Sequence, residues 1–326
     1  MQTLGNPSLN YNSLFSGLFI QDSWKPLRNL TVVYGLRYDL YKMPDANKNS
    51  PFPLSQHFKT DTNNVAPRFG LAYGLGKNER TVIRASTGIL YDPPQTDQYR
   101  RALLNNGSPA FFTLTAVPGL PYAPAFPKVL PAVPTGFNLP PGDIATISPY
   151  LATLYSFNAN VSVSQEIGAG FVVTASYLYT KGTHLPVYRN INLVPSGAFL
   201  ADGRPIFSSA ARVYPRFANI LSAESVGNSE YGGMNFSLQR RFANGYELFA
   251  TYTWSHAIDD APEQNIFDSA TTVTLSDPSD RRRDRGNSLT DRRHVLNLTG
   301  ACMPHFHGSS KLAKYLLNLN RSARNP

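Results

Sequence analysis

An all-β, antiparallel up-and-down architecture is the fold class this 326-residue sequence predicts, and three observations predict it. Apolar and polar residues alternate with a period of two in segment after segment, whereas the 3.6-residue period of helices is scarce. The alternating segments are long. The links joining them are short and long by turns along the whole chain.

Composition sets the outer limits. Charged residues make up 16%, against roughly 25% in average soluble proteins. With 12% aromatic residues, this argues against a disordered chain, a coiled coil or a nucleic-acid-binding tail. A net charge of +9 is moderate for this length, and no recognised nucleic-acid-binding module appears, so no nucleic-acid partner is expected. The single Cys302 excludes an internal disulfide framework and a multi-cysteine zinc site. No stretch approaches the ~18 apolar residues of a membrane helix. Residues 1–12 lack the basic start and apolar core of a signal peptide, so the protein is expected to stay inside the cell or to have its true N-terminus elsewhere.

Nine strands are expected. The first covers Leu14 to Trp24. In the second, Leu30, Val32, Tyr34, Leu36, Tyr38 and Leu40 share one face, and Thr31, Val33, Gly35, Arg37, Asp39 and Tyr41 the other, as successive strand side chains point to opposite sides. The third alternates Phe69, Leu71, Tyr73 and Leu75 with Arg68, Gly70, Ala72 and Gly74. The fourth sets Ile83, Ala85, Ile89 and Tyr91 against Arg84, Ser86 and Gly88. The fifth, from Leu151, opposes Tyr155, Phe157, Ala159, Val161 and Val163 to Ser156, Asn158, Asn160, Ser162 and Ser164. The sixth carries Phe171, Val173, Ala175, Tyr177 and Tyr179, the seventh Met234, Phe236 and Leu238, and the eighth Tyr246, Leu248, Ala250, Tyr252 and Trp254. The ninth runs from Asp291 to Ala301.

Lys25 to Asn29, Gly76 to Arg80, Ile167 to Gly170 and Ala243 to Gly245 are short links with hairpin residues. Between them lie long ones: 42–65, 92–150, 181–230 and 259–290. An up-and-down sheet puts alternate links on opposite rims, so all short links share one rim and all long ones the other. Strands of about ten residues exceed the ~5–6 usual in soluble proteins and match the ~9–11 needed to cross a bilayer at a tilt. Short turns on one side and long loops on the other describe an outer-membrane barrel. A soluble sandwich or propeller explains each strand but not the alternating link lengths, and loops beyond ~12–15 residues are uncommon in compact domains. Nine strands cannot by themselves make the usual even-numbered barrel, so the barrel is expected to be incomplete: either further strands lie outside the sequence or the piece does not insert.

Particular motifs add a resemblance. Gly17-Leu18-Phe19-Ile20-Gln21-Asp22-Ser23-Trp24-Lys25 with Leu30-Thr31-Val32-Val33-Tyr34-Gly35-Leu36-Arg37-Tyr38-Asp39 resembles a hairpin of TonB-dependent receptor barrels, most closely the Oar-like receptors with a carboxypeptidase-regulatory-like domain. Asn64-Val65-Ala66-Pro67-Arg68-Phe69-Gly70-Leu71, Ile83-Arg84-Ala85-Ser86-Thr87-Gly88, Tyr231-Gly232-Gly233-Met234, Ala250-Thr251-Tyr252-Thr253-Trp254-Ser255-His256 and Asp291-Arg292-Arg293-His294-Val295 are similar to the same family, in its order, across most of residues 14–300. The resemblance implies a 22-stranded barrel with an internal plug, importing a bulky substrate with energy from a periplasmic partner. Plug, partner-binding box and terminal aromatic have no counterpart here, and after Gly300 the likeness fades. The expected organisation is an N-terminal extension (1–13), a partial barrel (14–301) and a basic non-barrel tail (302–326).

Candidate chemistry is sparse. Trp24 lies at a short-link end, and Tyr38, Tyr41, Tyr91, Tyr179 and Trp254 lie toward long-link ends, where a membrane-interface girdle would place them. In a soluble sandwich the same residues would be core. Arg281, Arg282, Arg283 and Arg285 could grip an anion such as a lipid phosphate, since Arg forks match phosphate bidentately; a solvated loop with local ion pairs is the simpler expectation. Asp259, Asp260, Glu263 and Asp268 lack calcium-loop spacing. Cys302, His305 and His307 are too few and too loosely spaced for structural zinc. No nucleophile-elbow, phosphate-loop or zinc-protease pattern occurs, so neither an enzyme nor a cofactor is expected. The link 92–150 holds twelve prolines with Phe111, Phe112, Tyr122, Phe126 and Phe137, which suggests a folded loop over the barrel mouth or a polyproline spacer. The function expected is that of a segment of a bacterial outer-membrane receptor or transporter, with membrane lipid and an unidentified extracellular substrate as partners. A secreted sugar-binding β-protein and an inactive remnant are the alternatives.

Overall fold

The computed structural model describes residues 2–6, 8–108, 110–114, 119–125, 127–132, 141–243, 245–260 and 275–303. In chain order its elements are β1 (Gln2–Gly5), β2 (Leu14–Leu27), β3 (Leu30–Lys42), β4 (Val65–Leu75), β5 (Thr81–Tyr91), α1 (Thr96–Leu104), β6 (Phe111–Leu114), β7 (Ile144–Ile147), β8 (Tyr155–Gly168), β9 (Phe171–Asn190), β10 (Leu193–Phe199), β11 (Pro205–Arg212), β12 (Ile220–Ala243), β13 (Tyr246–Asp259), β14 (Gly286–Asn287) and β15 (His294–Cys302). Nine long strands form one sheet in the order β2-β3-β4-β5-β8-β9-β12-β13-β15, and every neighbouring pair is antiparallel. These are the nine expected strands in the expected up-and-down sequence. The sheet is open: among the described residues β2 pairs with β3 alone and β15 with β13 alone.

The hairpin turns show why the short links close. At Ala169–Gly170 both residues have positive φ, 50° and 77°. This is the left-handed pair that a two-residue turn between twisted strands requires.

Register reveals tilt. One rung runs Val32, Leu71, Ala85, Val161, Tyr177, Met234, Trp254 from β3 to β13. It meets β3 two residues beyond its turn end at Leu30, β5 four beyond Thr81, β9 six beyond Phe171 and β13 eight beyond Tyr246. Each hairpin therefore slides by two residues, one per strand. With ~3.3 Å along a strand against ~4.8 Å between strands, the strands lean about 35° from the axis, the inclination of a barrel wall.

The two faces differ chemically. The rung just described is apolar or aromatic throughout. One residue on, Arg84, Ser162, Ser176, Asn235 and Thr253 form a polar rung. Cross-strand hydrogen bonds tie this face together: the Asn235 amide donates to Thr253 Oγ1 at 2.9 Å, and the Thr180 hydroxyl to Asn158 Oδ1 at 2.8 Å. Arg37 lies on the same face, paired with Asp39 at 2.8 Å. The apolar face is uncovered; Leu18, Ile20, Leu296 and Leu298 are each more than 70% exposed. In a sandwich these flanks would meet a second sheet.

Buried apolar side chains collect elsewhere. Apart from Ala66 near the start of β4, they lie in the long links, in the outer ends of β9 and β12, and in β1, which pairs with β6. Here the structure departs from the expected limits. β8 starts at Tyr155 rather than Leu151, because Leu151 packs on a buried cluster around Tyr99 and the Thr153 N–H donates to Asp61 Oδ2 at 2.7 Å. β9 and β12 continue paired from Lys181–Glu230 out to Asn190–Leu221, so much of segment 181–230 is ladder, with β10 and β11 as a hairpin between. A strand that has left the lipid no longer needs an apolar face, so alternation stops before the ladder does. β15 starts at His294 rather than Asp291, whose carboxylate turns aside to accept from the Ala257 N–H at 2.8 Å.

The two faces should respond differently to charge. Val161→Arg, on the exposed apolar face, is expected to destabilise the bilayer-inserted fold by about 2–4 kcal/mol, and Ser162→Arg, on the polar face, by much less. Urea titration in lipid vesicles, followed by tryptophan fluorescence, measures both; equal losses would contradict the assignment of faces.

Candidate functional site

The long links fold on one another. α1 packs Tyr99 and Ala102 against Ile147 of β7, Tyr188 of β9, Ala223 of β12 and Met43. A second cluster joins Phe52, Ile144, Phe217 and Ile220, with Phe52 edge-on to Tyr214 and Phe217 at ring distances of 5.2 and 5.8 Å. β7 lies parallel to the outer end of β12, Ile144 beside Ile220. Thus the part of 92–150 carried by α1 and β7 is a folded loop, while Phe126, Phe137 and the run 133–140 lie outside the described residues. Polar bonds cross-link separate links: the Ser55 hydroxyl donates to Thr146 Oγ1 at 2.9 Å, the Ala152 N–H to Ser225 Oγ at 2.8 Å, and the fully buried Asn192 amide to the Phe217 carbonyl at 2.8 Å. Such bonds fix loop shape because an unpaired buried polar group is costly. Burial pushes the Tyr188 hydroxyl up to about 12 and raises that of Tyr99.

Beneath this platform lies a cavity of about 460 Å³. Its wall is built from segments far apart in sequence: Asp92 to Gln95 and Gln98, Leu151 with Ala152 and Leu154, His184 to Pro186, Ser229 to Tyr231, Ala257 to Asp259, and Ser288 with Thr290. His184 enters through an irregularity in the β9–β12 ladder, where Thr183 pairs with Asn228 and Leu185 with Gly227. The skipped residue has φ of 64°. A bulge of this kind re-aims a side chain, and the His184 ring stands edge-on to Tyr155 at 5.4 Å with Nδ1 3.3 Å from the Thr153 carbonyl. No local pattern in the sequence marks these residues, since only the folding of the links brings them together.

The arginine-rich turn 281–285 straps the cavity's edge. Arg281 reaches Asp260 at 3.5 Å, Arg283 reaches Asp202 of the β10–β11 turn at 3.6 Å, and Arg285 reaches Glu230 of β12 at 3.0 Å. Three of the four anion-binding candidates are therefore compensated by carboxylates of the chain itself. Arg282 has no carboxylate partner among the described residues. Asp260 also accepts from the Asn228 N–H at 2.5 Å, so it anchors this strap; Glu263 and Asp268 lie outside the described residues. Among the described residues no three potential metal ligands cluster. Cys302 is exposed, and His305 and His307 lie outside the described residues.

Of the six aromatic candidates, Trp24, Tyr38, Tyr91, Tyr179 and Trp254 stand on the apolar face, in register with Val32, Val65, Tyr155, Ala159 and Met234 respectively. Tyr41 does not. It shares the face of Arg37 and Asp39 and stacks edge-on to Phe15 at 5.6 Å, as its odd position in β3 demands. Tyr38, Tyr179 and Trp254 each lie eight residues beyond the turn ends Leu30, Phe171 and Tyr246. At the tilt above they share one height, ~22 Å over the short-link rim. Trp24 is three residues from its own turn end, Leu27.

A tilted antiparallel sheet with its apolar face bare and its buried core confined to the loops is the wall of a membrane barrel. A family model described as an outer membrane beta barrel domain matches residues 1–319. The chain belongs to that family, and its place is the bacterial outer membrane. No curated protein matches it. Among solved structures it is similar to the outer membrane transporter YddB from Escherichia coli (15% identity, TM-score 0.46, covering 76% of this chain and 24% of that one). It is also similar to the FrpB iron transporter from Neisseria meningitidis (13%, 0.44, 76% and 27%) and to the siderophore receptor PirA from Acinetobacter baumannii (13%, 0.44, 78% and 32%). The chain thus spans about a quarter to a third of the length of these structures.

Acid should loosen the strap before the sheet. The Arg204 N–H on Asp202, the Ser279 hydroxyl on Asp277 and the Ala257 N–H on Asp291 each hold a carboxyl below its ordinary range. Stabilisation from such lowered groups is complete above the unfolded value, about 4, and is lost as pH falls through the lower folded value. Proteolysis between Ser276 and Thr290 by an acid-active protease is expected to accelerate below about pH 4, with the hairpin turns still protected. Cleavage there that does not change with pH would contradict this.

Proposed function

We propose that the chain forms part of the wall of a TonB-dependent receptor, of the Oar-like kind its motifs resemble, with the long links outward and the short ones in the periplasm. The observation that carries this reading is the bare apolar face rising from tight turns to a pre-folded loop platform with an open-mouthed cavity at its base. In this reading a bulky substrate engages the long-link face, and the full-length receptor draws energy from a periplasmic protein. The two edges left open among the described residues support a larger wall, because lipid offers no hydrogen bonds to unpaired strand backbone. Trp24 serves as a lower interfacial anchor and Tyr38, Tyr91, Tyr179 and Trp254 as upper ones. Arg282 remains the candidate for contact with a lipid phosphate. No enzymatic step is assigned.

Native outer membranes should hold the chain in a form that resists detergent at room temperature and changes gel mobility on boiling; migration unchanged by heat would count against insertion. Because Trp24 and Trp254 are the only tryptophans, lipids brominated near the headgroup should quench fluorescence better than those brominated near the chain end. Stronger quenching from the bilayer centre would remove the girdle.

A further inference from the structure

The cavity's chemistry goes one step beyond a receptor of unspecified cargo, and the step rests on the reading that the long-link face engages substrate. We infer that the cavity takes an organic cation, a ligand bearing amine groups on an apolar frame.

The wall is rich in acceptors that have no donor. Gln98 is only 4% exposed, and its side chain makes one weak contact, from its own Nε2 to Gln95 Oε1 at 3.5 Å. Its carbonyl oxygen receives no hydrogen bond among the described residues and is not one of the sealed-off unpartnered atoms, so an otherwise buried side chain presents an open acceptor to the cavity. Asp92 and Asp259 line the same space, and neither side chain has an ion pair or hydrogen bond among the described residues. The third carboxylate of the wall, Glu230, is already matched by Arg285 at 3.0 Å. Apart from the His184 imidazole, no basic side chain among the described residues lines the cavity.

Charge and shape then select the ligand. Two uncompensated carboxylates beside apolar walls, Leu151, Leu154 and Leu185 among them, favour a cation whose carbon frame covers those walls. The same carboxylates repel a polyanion. A neutral sugar would satisfy the acceptors through hydroxyls and leave both charges uncompensated. About 460 Å³ accommodates a small organic molecule or the leading group of a larger one.

Dansyl-spermine titrated into the full chain, folded in non-ionic detergent, tests this, with citrate and maltohexaose as competitors. Saturable binding is expected, weakened at least tenfold in D92N/D259N and unchanged in E166Q, which removes one carboxylate at the short-link rim. Heat-modifiable gel mobility checks that each variant is folded. Equal affinity in the double variant, or displacement by citrate as strong as by free spermine, overturns the assignment. S229W, which fills the cavity, separates this inference from the receptor reading. If it abolishes binding of maltohexaose or citrate while dansyl-spermine never bound, the site stands and the cation falls. If it alters none of the three, both fall.

Discussion

The whole structure depends on one constraint: the hydrocarbon interior of a membrane cannot hydrogen-bond to a peptide group. Every backbone N–H and C=O at that depth must find its partner on a neighbouring strand. The rungs from β3 to β13 meet this requirement residue by residue, without interruption through the apolar belt. The register slip of one residue per strand follows from the same demand, since a sheet curves into a wall only with tilted strands. Bulges and shifts occur outside the belt, at the turns and in the outer ends of β9 and β12, where water can satisfy what the ladder leaves unpaired.

That constraint also explains where the core is. In lipid, an apolar side chain gains little by packing on another, so the belt stays bare. Once the strands emerge into water the hydrophobic effect returns, and it acts on the long links. Phe52, Tyr99, Ile147 and Ile220 are buried there as in a small soluble domain, held by α1, β7 and the extended β9–β12 pair. The chain is thus solvated in two opposite senses, with a greasy exterior below and a greasy interior above.

The same division separates what the sequence shows from what it hides. Within the membrane a period of two must persist over ten residues, so Leu30 to Leu40 or Phe171 to Tyr179 announce both strand and facing, and all nine strands could be placed. Tyr41 lies close to a long link, as an interfacial residue would, but its parity with Arg37 and Asp39 puts it on the other face. Outside the membrane the period lapses. The β9 extension past Lys181 carries a bulge at His184 and polar residues on both faces, so nothing local distinguished it from loop. The cavity is harder still. Asp92, Gln98, His184 and Asp259 converge only after separate links have packed together, and such convergence leaves no trace in spacing. The arginine-rich turn stood out, but its partners Asp202, Glu230 and Asp260 sit on other elements that one sequence cannot align.

The open sheet has a directional consequence. β2 and β15, its two margins among the described residues, descend the same way, from the long links toward the short ones, because an odd number of alternating strands separates like from like. Two copies turned about the membrane normal would therefore abut with strands pointing alike, and both seams would be parallel. Bacterial walls of this class alternate throughout. A cylinder completed without such seams needs an odd number of additional strands, so self-pairing of this unit cannot produce it.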